Sequence, residues 1–279
     1  KLPDPSSGSA SKMADDPEPS RAGKRRRVEE EDETEEADRI LSLEESLTFS
    51  DTLVALRIMR AQFPRIDKVS VQPFVLRSQL YSSVKDRTQV DRELECLRRE
   101  KVIRVFKLNT GQDDHAIMFL DNYLIQMECV VKRMEEKKQG DLEVFEWFKR
   151  YLIEDMLEPS IHHRELCLLL SHGGEVKDAH ISRLINGGLL TRQLIDPDMY
   201  WFAIPNIGPV LKGLSQGRKE LLSMLNRRKY KEMMLSSLEK MRVRLSPLDM
   251  RFHLRDLIGS GHLKTVNTAS GLVVRVSKN

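Results

Sequence analysis

The chain has 279 residues, of which 32% are charged and 6% aromatic, and its formal net charge is +3. This length allows two or three small domains, each with its own core, and this composition is typical of a soluble, helix-rich protein. No apolar run approaches the length of a membrane span and no apolar signal core precedes the first helix, so we expect an intracellular protein without membrane contact.

Residues 1–47 are predicted to be a disordered tail. Lys1–Lys12 resembles a linker remnant ahead of a natural start at Met13. A compact basic cluster follows, which is typical of a nuclear import signal, although a solvated charge run gives the same pattern. The cluster consists of Lys24, Arg25, Arg26 and Arg27. The acidic run Glu29–Glu36 has no apolar residue with which to pack, so it is also expected to be disordered.

One local pattern occurs three times along the rest of the chain. Each time, the end of a helix leads into a short strand, a polar turn and a second strand. Aligning the three copies superimposes Leu97, Leu184 and Leu257, then Lys101, Gly188 and Gly261, and then Ile103, Leu190 and Leu263. Three units of one design are the simplest explanation.

The first unit, residues 48–138, shows a recognisable order of elements. In chain order they are a helix from Asp51 that ends at Pro64, helices Phe74–Val84 and Arg87–Glu100, strands Val105–Leu108 and His115–Leu120, and a charged connecting helix Asn122–Lys138. Three helices followed by a hairpin is the order of a winged-helix domain, in which the third helix usually enters the DNA major groove.

The second and third units, residues 139–214 and 215–279, repeat this order. The second contains a helix capped by Asp141, helices His163–Leu170 and Lys177–Asn186, and strands Arg192–Ile195 and Met199–Ile204. The third contains a long helix Arg218–Met241, a strand Val243–Leu245, a helical piece Pro247–Ile258, and strands His262–Val266 and Leu272–Val276. The predicted fold is α+β and mainly α, with three tandem winged-helix domains and β-hairpin wings.

Positive charge is concentrated at the end of the chain. Pro205–Asn279 has fifteen basic and five acidic residues, a balance that favours a polyanionic partner, although a solvated surface is the simpler alternative. In the first unit, Asp86-Arg87 opens the third helix, so Arg87 and the helix N-terminus both suit a phosphate. The candidate DNA-contacting residues are Arg87, Arg218, Arg227, Arg228, Lys229, Lys231, Arg242, Arg244 and Lys264.

Catalytic and metal-binding patterns are nearly absent. His162-His163 lacks a spaced third ligand, and Asp113-Asp114-His115 is expected to be a solvated turn, so no metal or cofactor is predicted. Cys96, Cys129 and Cys167 show neither zinc spacing nor a disulfide framework, and we expect them to be reduced, buried helix residues.

One stretch, residues 253–256, resembles the kinase catalytic-loop triplet with a residue inserted. The glycine-rich loop, the strand lysine and the metal-binding triplet of a kinase are missing, so no enzyme is predicted. We expect Arg255 and Asp256 to be exposed helix residues.

Several longer runs resemble one known family. They are Val75–Ser82, Asp86–Thr88, Gly217-Arg218 with Leu222–Met224, Lys229-Tyr230, and Asp256–Gly259 with Thr268–Gly271. Together they are similar to the nuclear protein family named serine/threonine kinase 19, from about Phe74 to Val276. Arg87 and Lys229 match basic positions of that family.

The resemblance implies a nuclear, chromatin-associated homodimer of three winged-helix domains that binds double-stranded DNA. It also implies a role in transcription-coupled nucleotide excision repair, as a scaffold that positions the stalled RNA polymerase, the repair ubiquitin ligase and the repair helicase complex. Nothing in the sequence demands base readout, so weak sequence preference is expected. The alternative is a winged-helix protein-interaction adaptor without direct DNA contact, and a kinase is a distant third.

Overall fold

The computed structural model describes residues 51–66, 69–111, 114–138 and 140–277. The predictions for the N-terminal tail, including the import signal Lys24–Arg27 and the acidic run, lie outside the described residues, as does Asp113. No helix in the described ranges is long and apolar enough to cross a membrane.

The described chain divides into three consecutive segments. The first segment contains α1 (Asp51–Ala61), β1 (Val75–Leu76), α2 (Arg77–Ser83), α3 (Arg87–Arg99), β2 (Ile103–Lys107), β3 (His115–Phe119) and α4 (Leu120–Glu136). The second contains α5 (Glu143–Trp147), which continues as a π-helical turn Phe148–Ile153, then β4 (Ser160–His162), α6 (His163–Leu170), α7 (Asp178–Asn186), β5 (Leu190–Arg192) and β6 (Met199–Phe202). The third contains α8 (Gly208–Asn226), β7 (Glu232–Met234), α9 (Leu235–Glu239), α10 (Met250–Gly259), β8 (Leu263–Thr268) and β9 (Gly271–Val276).

Each segment contains one small antiparallel sheet, and the three sheets share a strand order. The orders are β1-β3-β2, β4-β6-β5 and β7-β9-β8, so the third strand is central each time. The registers agree as well, since Val75 lies opposite Ile117 in the first sheet and Met233 lies opposite Val274 in the third. This α+β arrangement of helices and small antiparallel sheets is consistent with a winged helix.

The sequence alignment of the three repeats is confirmed in the backbone. Lys101, Gly188 and Gly261 have φ values of 59°, 77° and 83°, so each turns the chain in the left-handed region just after a helix. Two residues later, Ile103, Leu190 and Leu263 begin the first hairpin strand and are buried. The same turn therefore ends the helix and starts the hairpin in every segment.

The core is shared between the segments. Its largest cluster joins Phe74 and Tyr123 of the first segment, Phe202 of the second and Phe252 of the third. The Phe74 and Phe252 rings meet edge to face with centroids 5.9 Å apart. Separate clusters lie under the first and third sheets. The helix predicted as a connector, α4, contributes Tyr123 to this core and so does more than join two domains.

The predicted long helix Arg218–Met241 is wrong. The chain is helical only to Asn226, turns through residues 227–231, and then forms β7. The reason is a tertiary contact. Strand β9 carries the buried residues Val273 and Val274, and pairing with β7 provides hydrogen-bond partners for the backbone N–H and C=O groups on one edge of β9. Strand pairing here outweighs the helix propensity of the sequence.

Four smaller predictions also need correction. No strand forms at Val243–Leu245. The helix predicted from Phe74 begins at Arg77, after the two-residue strand β1. Asp141 does not cap α5, because its φ is 57° and its carboxylate lies 3.6 Å from Arg183 instead. The cysteines are unpaired, but Cys96 is exposed and the other two are half-buried.

Candidate nucleic-acid interface

A groove of about 1240 Å³ lies beside the C-terminal half of α8. Its walls carry positive charge from two directions, the end of α8 and the chain that follows α9. The basic lining residues are Lys219, Arg227, Arg228, Arg242 and Arg244. The structure thus brings together four predicted DNA-contacting arginines that the sequence separates by a strand and a helix.

One acidic residue, Glu220, shapes this groove. Its carboxylate accepts the backbone N–H of Arg244 at 3.1 Å and that of Leu245 at 3.0 Å. These bonds tie the irregular chain at residues 242–245, which carries Arg242 and Arg244, to α8. The role of Glu220 could not be read from the sequence, where it is one acid among many bases.

The turn at residues 227–231 continues the basic surface beyond the groove. It contains Arg227, Arg228, Lys229, Tyr230 and Lys231, and all five are exposed. Backbone bonds hold the turn at both ends: Arg228 N–H donates to Leu225 at 2.9 Å, and Val276 N–H donates to Lys231 at 3.1 Å. The basic cluster is therefore carried by an ordered turn rather than by a helix.

Arg218 has a different role from its neighbours. Its guanidinium donates to Asp114 and to Asp256, each at 2.6 Å, and its side chain is 17% exposed. Burial opposes its charge, but Asp256 and Asp114 outweigh that effect and raise the pKa of Arg218. Its charge is already balanced by two carboxylates, so it joins the first segment to the third.

Both carboxylates in this network differ from their sequence predictions. Asp256, expected to be exposed, is fully buried and also accepts a hydrogen bond from Ser78 Oγ at 2.6 Å. Asp114, expected to be solvated, is half-buried and also accepts from Thr110 at 2.6 Å. Burial disfavours the charged form of Asp114, but the hydrogen bonds from Arg218 and Thr110 outweigh burial and lower the pKa of Asp114.

Arg255, which was also expected to be exposed, is half-buried and donates a hydrogen bond to Gln62 at 2.8 Å.

The third helix of the third segment, α10, lies against α2 of the first. A side-chain carbon on Gly259 would lie 1.6 Å from the carbonyl oxygen of Ser78, so only glycine permits this approach. Gln79 donates to the Phe252 carbonyl at 3.1 Å across the same contact. The helix that usually enters a DNA groove is here packed inside the protein.

The remaining candidates occupy separate places. Arg87 is exposed, but it donates to the Gly259 carbonyl at 3.0 Å and lies over the Tyr81 ring. Lys264 is exposed on β8, opposite Arg275 of β9, and Arg275 in turn pairs with Glu232 at 2.6 Å. Neither lines the basic groove.

No metal centre is formed by the described part of the chain, in which no three His, Cys, Asp or Glu side chains cluster suitably. His162 accepts the Arg164 N–H at 3.2 Å as the cap of α6, and His163 lies 3.2 Å from the Tyr200 hydroxyl. Both histidines thus have structural partners.

Comparison with known proteins identifies the family. Residues 39–276 match the family described as inactive serine-threonine protein kinase 19. The chain belongs to this family. The resemblance seen in the sequence is thereby confirmed, and it extends further toward the N-terminus than Phe74. A family of inactive kinases is consistent with the prediction of a non-enzymatic protein.

Individual relatives cover most of the chain. Winged helix repair factor 1 of Xenopus laevis is 33% identical over 230 residues, 80% of this chain and 83% of that protein. The Homo sapiens protein of that name is 31% identical over 216 residues, 77% and 81% of the two chains. The Dictyostelium discoideum protein is 28% identical over 281 residues, 88% and 68% of the two chains.

Proposed function

We propose that this protein is a non-enzymatic, double-stranded DNA-binding factor built from three tandem winged-helix domains. The observation that supports DNA binding is the groove beside α8, in which five basic side chains converge. Long cationic side chains neutralise backbone phosphates without reading bases, so the surface suits duplex DNA with weak sequence preference. Arg218 is left out of this surface because two carboxylates already hold it.

The proposed process is transcription-coupled nucleotide excision repair in the nucleus. The names of the relatives supply the repair context, and the family resemblance supplies the finer role of a positioning scaffold. Its proposed partners are the stalled RNA polymerase, the repair ubiquitin ligase, the repair helicase complex, chromatin and a second copy of this chain. The predicted boundary at residues 138/139 and the import signal remain part of the proposal. The predicted boundary at 214/215 falls inside the continuous helix α8, so the proposed third unit begins at Gly208 instead.

A second function, protein-interaction adaptor, is favoured by one feature of the second segment. At the turn between β5 and β6, Leu194 and Ile195 are fully exposed, and Asp196 and Asp198 follow them. Exposed aliphatic side chains favour a protein partner, and the neighbouring carboxylates disfavour phosphate. This turn and the basic groove lie on different segments, so the two functions are compatible.

Charge reversal tests DNA binding directly. The groove variant carries Arg227→Glu, Arg228→Glu and Lys229→Glu, and the matched control carries Lys132→Glu, Lys137→Glu and Arg164→Glu, three exposed positions on α4, its C-terminal cap and α6. Duplex affinity is measured by fluorescence anisotropy over a range of salt concentrations. We expect the groove variant to bind at least about ten-fold more weakly, with a salt slope smaller by about three.

The control separates a local contact from an effect of net charge, because both variants change the charge equally. Equal weakening in both variants contradicts a specific basic surface. Unchanged binding by the groove variant contradicts DNA contact here and leaves the adaptor function. Binding of ATP at micromolar concentration by the wild-type protein would contradict the non-enzymatic assignment.

A further inference from the structure

Tyr230 is an exposed aromatic residue in the middle of the basic turn. It is 67% exposed, and the Lys229 ammonium lies 5.3 Å from its ring centroid. Packing within the protein does not explain a large ring in this position. Aromatic rings that alternate with basic residues are the usual surface on which unpaired nucleic-acid bases stack.

The backbone around Tyr230 fixes where the ring lies. Lys231 has a φ of 54°, a left-handed conformation that is unfavourable for a residue other than glycine. The bonds that hold the turn, including Lys231 N–H to Arg228 at 3.0 Å, stabilise this conformation. Strain of this kind is concentrated at functional sites. The ring is therefore presented to solvent by an ordered turn.

The groove next to the turn is lined by apolar side chains as well as basic ones. The apolar lining residues are Met224, Met241 and Leu245, and Leu245 is 59% exposed. An intact duplex presents phosphates and sugars to such a groove and keeps its base faces stacked inside. Unstacked bases have apolar faces that can cover both these side chains and an exposed tyrosine ring.

We propose that Tyr230 stacks on an unpaired base, and that the groove therefore prefers DNA with single-stranded nucleotides to intact duplex. The proposal rests on the proposed function, because the same arginines neutralise the phosphates. It adds a specificity that charge alone does not provide. The ligand class is a bubble, gap or flap in which a base has left the stack.

The experiment compares two probes of the same length, an intact duplex and the same duplex with a short central bubble that contains 2-aminopurine. The variants are Tyr230→Ala and Tyr230→Phe, and Leu168→Ala serves as a control that removes a 65% exposed apolar side chain from α6 of the second segment. We expect Tyr230→Ala to weaken bubble binding by about 5- to 150-fold, the range of one base stack. The affinity of Tyr230→Ala for the intact duplex should stay within about two-fold of the wild-type affinity.

The other readouts test the stacking itself. Wild-type protein and Tyr230→Phe should both quench 2-aminopurine fluorescence, Tyr230→Ala should not, and Leu168→Ala should behave as wild type. Equal weakening of both probes by Tyr230→Ala, or a loss in Tyr230→Phe as large as in Tyr230→Ala, would overturn the stacking proposal.

The two proposals fail in different ways. Wild-type protein that binds duplex and bubble equally, without quenching, overturns stacking and leaves duplex binding intact. Wild-type protein that binds neither probe overturns both. Because Tyr230 is exposed, its variants should unfold at the urea midpoint of wild type, which excludes loss of structure as the cause.

Discussion

Replacing Asp256 by asparagine should strongly destabilise the fold while leaving its shape unchanged. The carboxylate accepts three hydrogen bonds, from Arg218 Nε at 2.6 Å, Arg218 Nη2 at 2.9 Å and Ser78 Oγ at 2.6 Å. Asparagine has a single acceptor oxygen, so its amide group must face one of these donors. The half-buried Arg218 then keeps only Asp114 as a charged partner.

The magnitude follows from the bonds that are lost. A hydrogen bond to a charged group contributes about 1.5–3 kcal/mol, and breaking a buried ion pair costs about 3–5 kcal/mol. Asp114 still pairs with Arg218, and the asparagine side chain at position 256 keeps one acceptor oxygen. We therefore expect the free energy of unfolding to fall by about 3 kcal/mol. Urea unfolding followed by circular dichroism measures this change. The exposed Asp198→Asn is the control and should change stability by less than about 0.5 kcal/mol.

A double-mutant cycle with Arg218→Met tests the reasoning further. Once the guanidinium is gone, Asp256→Asn should cost much less, with a coupling energy of about 1 kcal/mol or more. A single-variant change below about 1 kcal/mol, or strictly additive effects in the cycle, would refute the assignment of Asp256 as a charged partner of Arg218.

Three further outcomes are expected. Burial lowers the pKa of His253 to about 4, below its usual 6.5, so the unfolded chain binds the proton more tightly. Stability should therefore fall as pH drops from 6.5 towards 4, by up to about 3 kcal/mol, and His253→Gln should remove that slope in urea titrations at a series of pH values. Gly261 and Lys101 both have positive φ, which glycine tolerates better than other residues. Gly261→Ala should therefore lower the unfolding free energy by about 1 kcal/mol, and Lys101→Gly should raise it by up to about 1 kcal/mol. Shifts of the opposite sign in thermal melting would contradict this. Gly259→Ala should cost about 3 kcal/mol, because its new carbon meets the backbone of Ser78, and a melting temperature equal to wild type would rule out the close approach.

The sequence predicted the parts of the fold that depend on neighbouring residues. Helices α3, α6 and α7 follow local periodicity and capping. Aligning the repeats also paired Lys101 with Gly188 and Gly261, and the structure shows that all three share a left-handed conformation. These features need no information from distant parts of the chain.

The features that could not be predicted are long-range. Arg218 is separated from Asp114 by 104 positions, and no local pattern connects them. The helix break after Asn226 depends on strand β9, which comes much later in the chain. The basic groove was predicted as a charge cluster, but its geometry depends on Glu220 and on an irregular segment that sequence patterns describe poorly.

The contact between α10 and α2 also has a mechanical consequence. Arg218 lies in the middle of α8 and Arg227 directly follows its last residue, so the groove is connected through α8 to Asp256 and then to the first segment. A pull on the groove therefore reaches the first segment through the backbone of α8 and the ion pairs of Arg218 with Asp256 and Asp114.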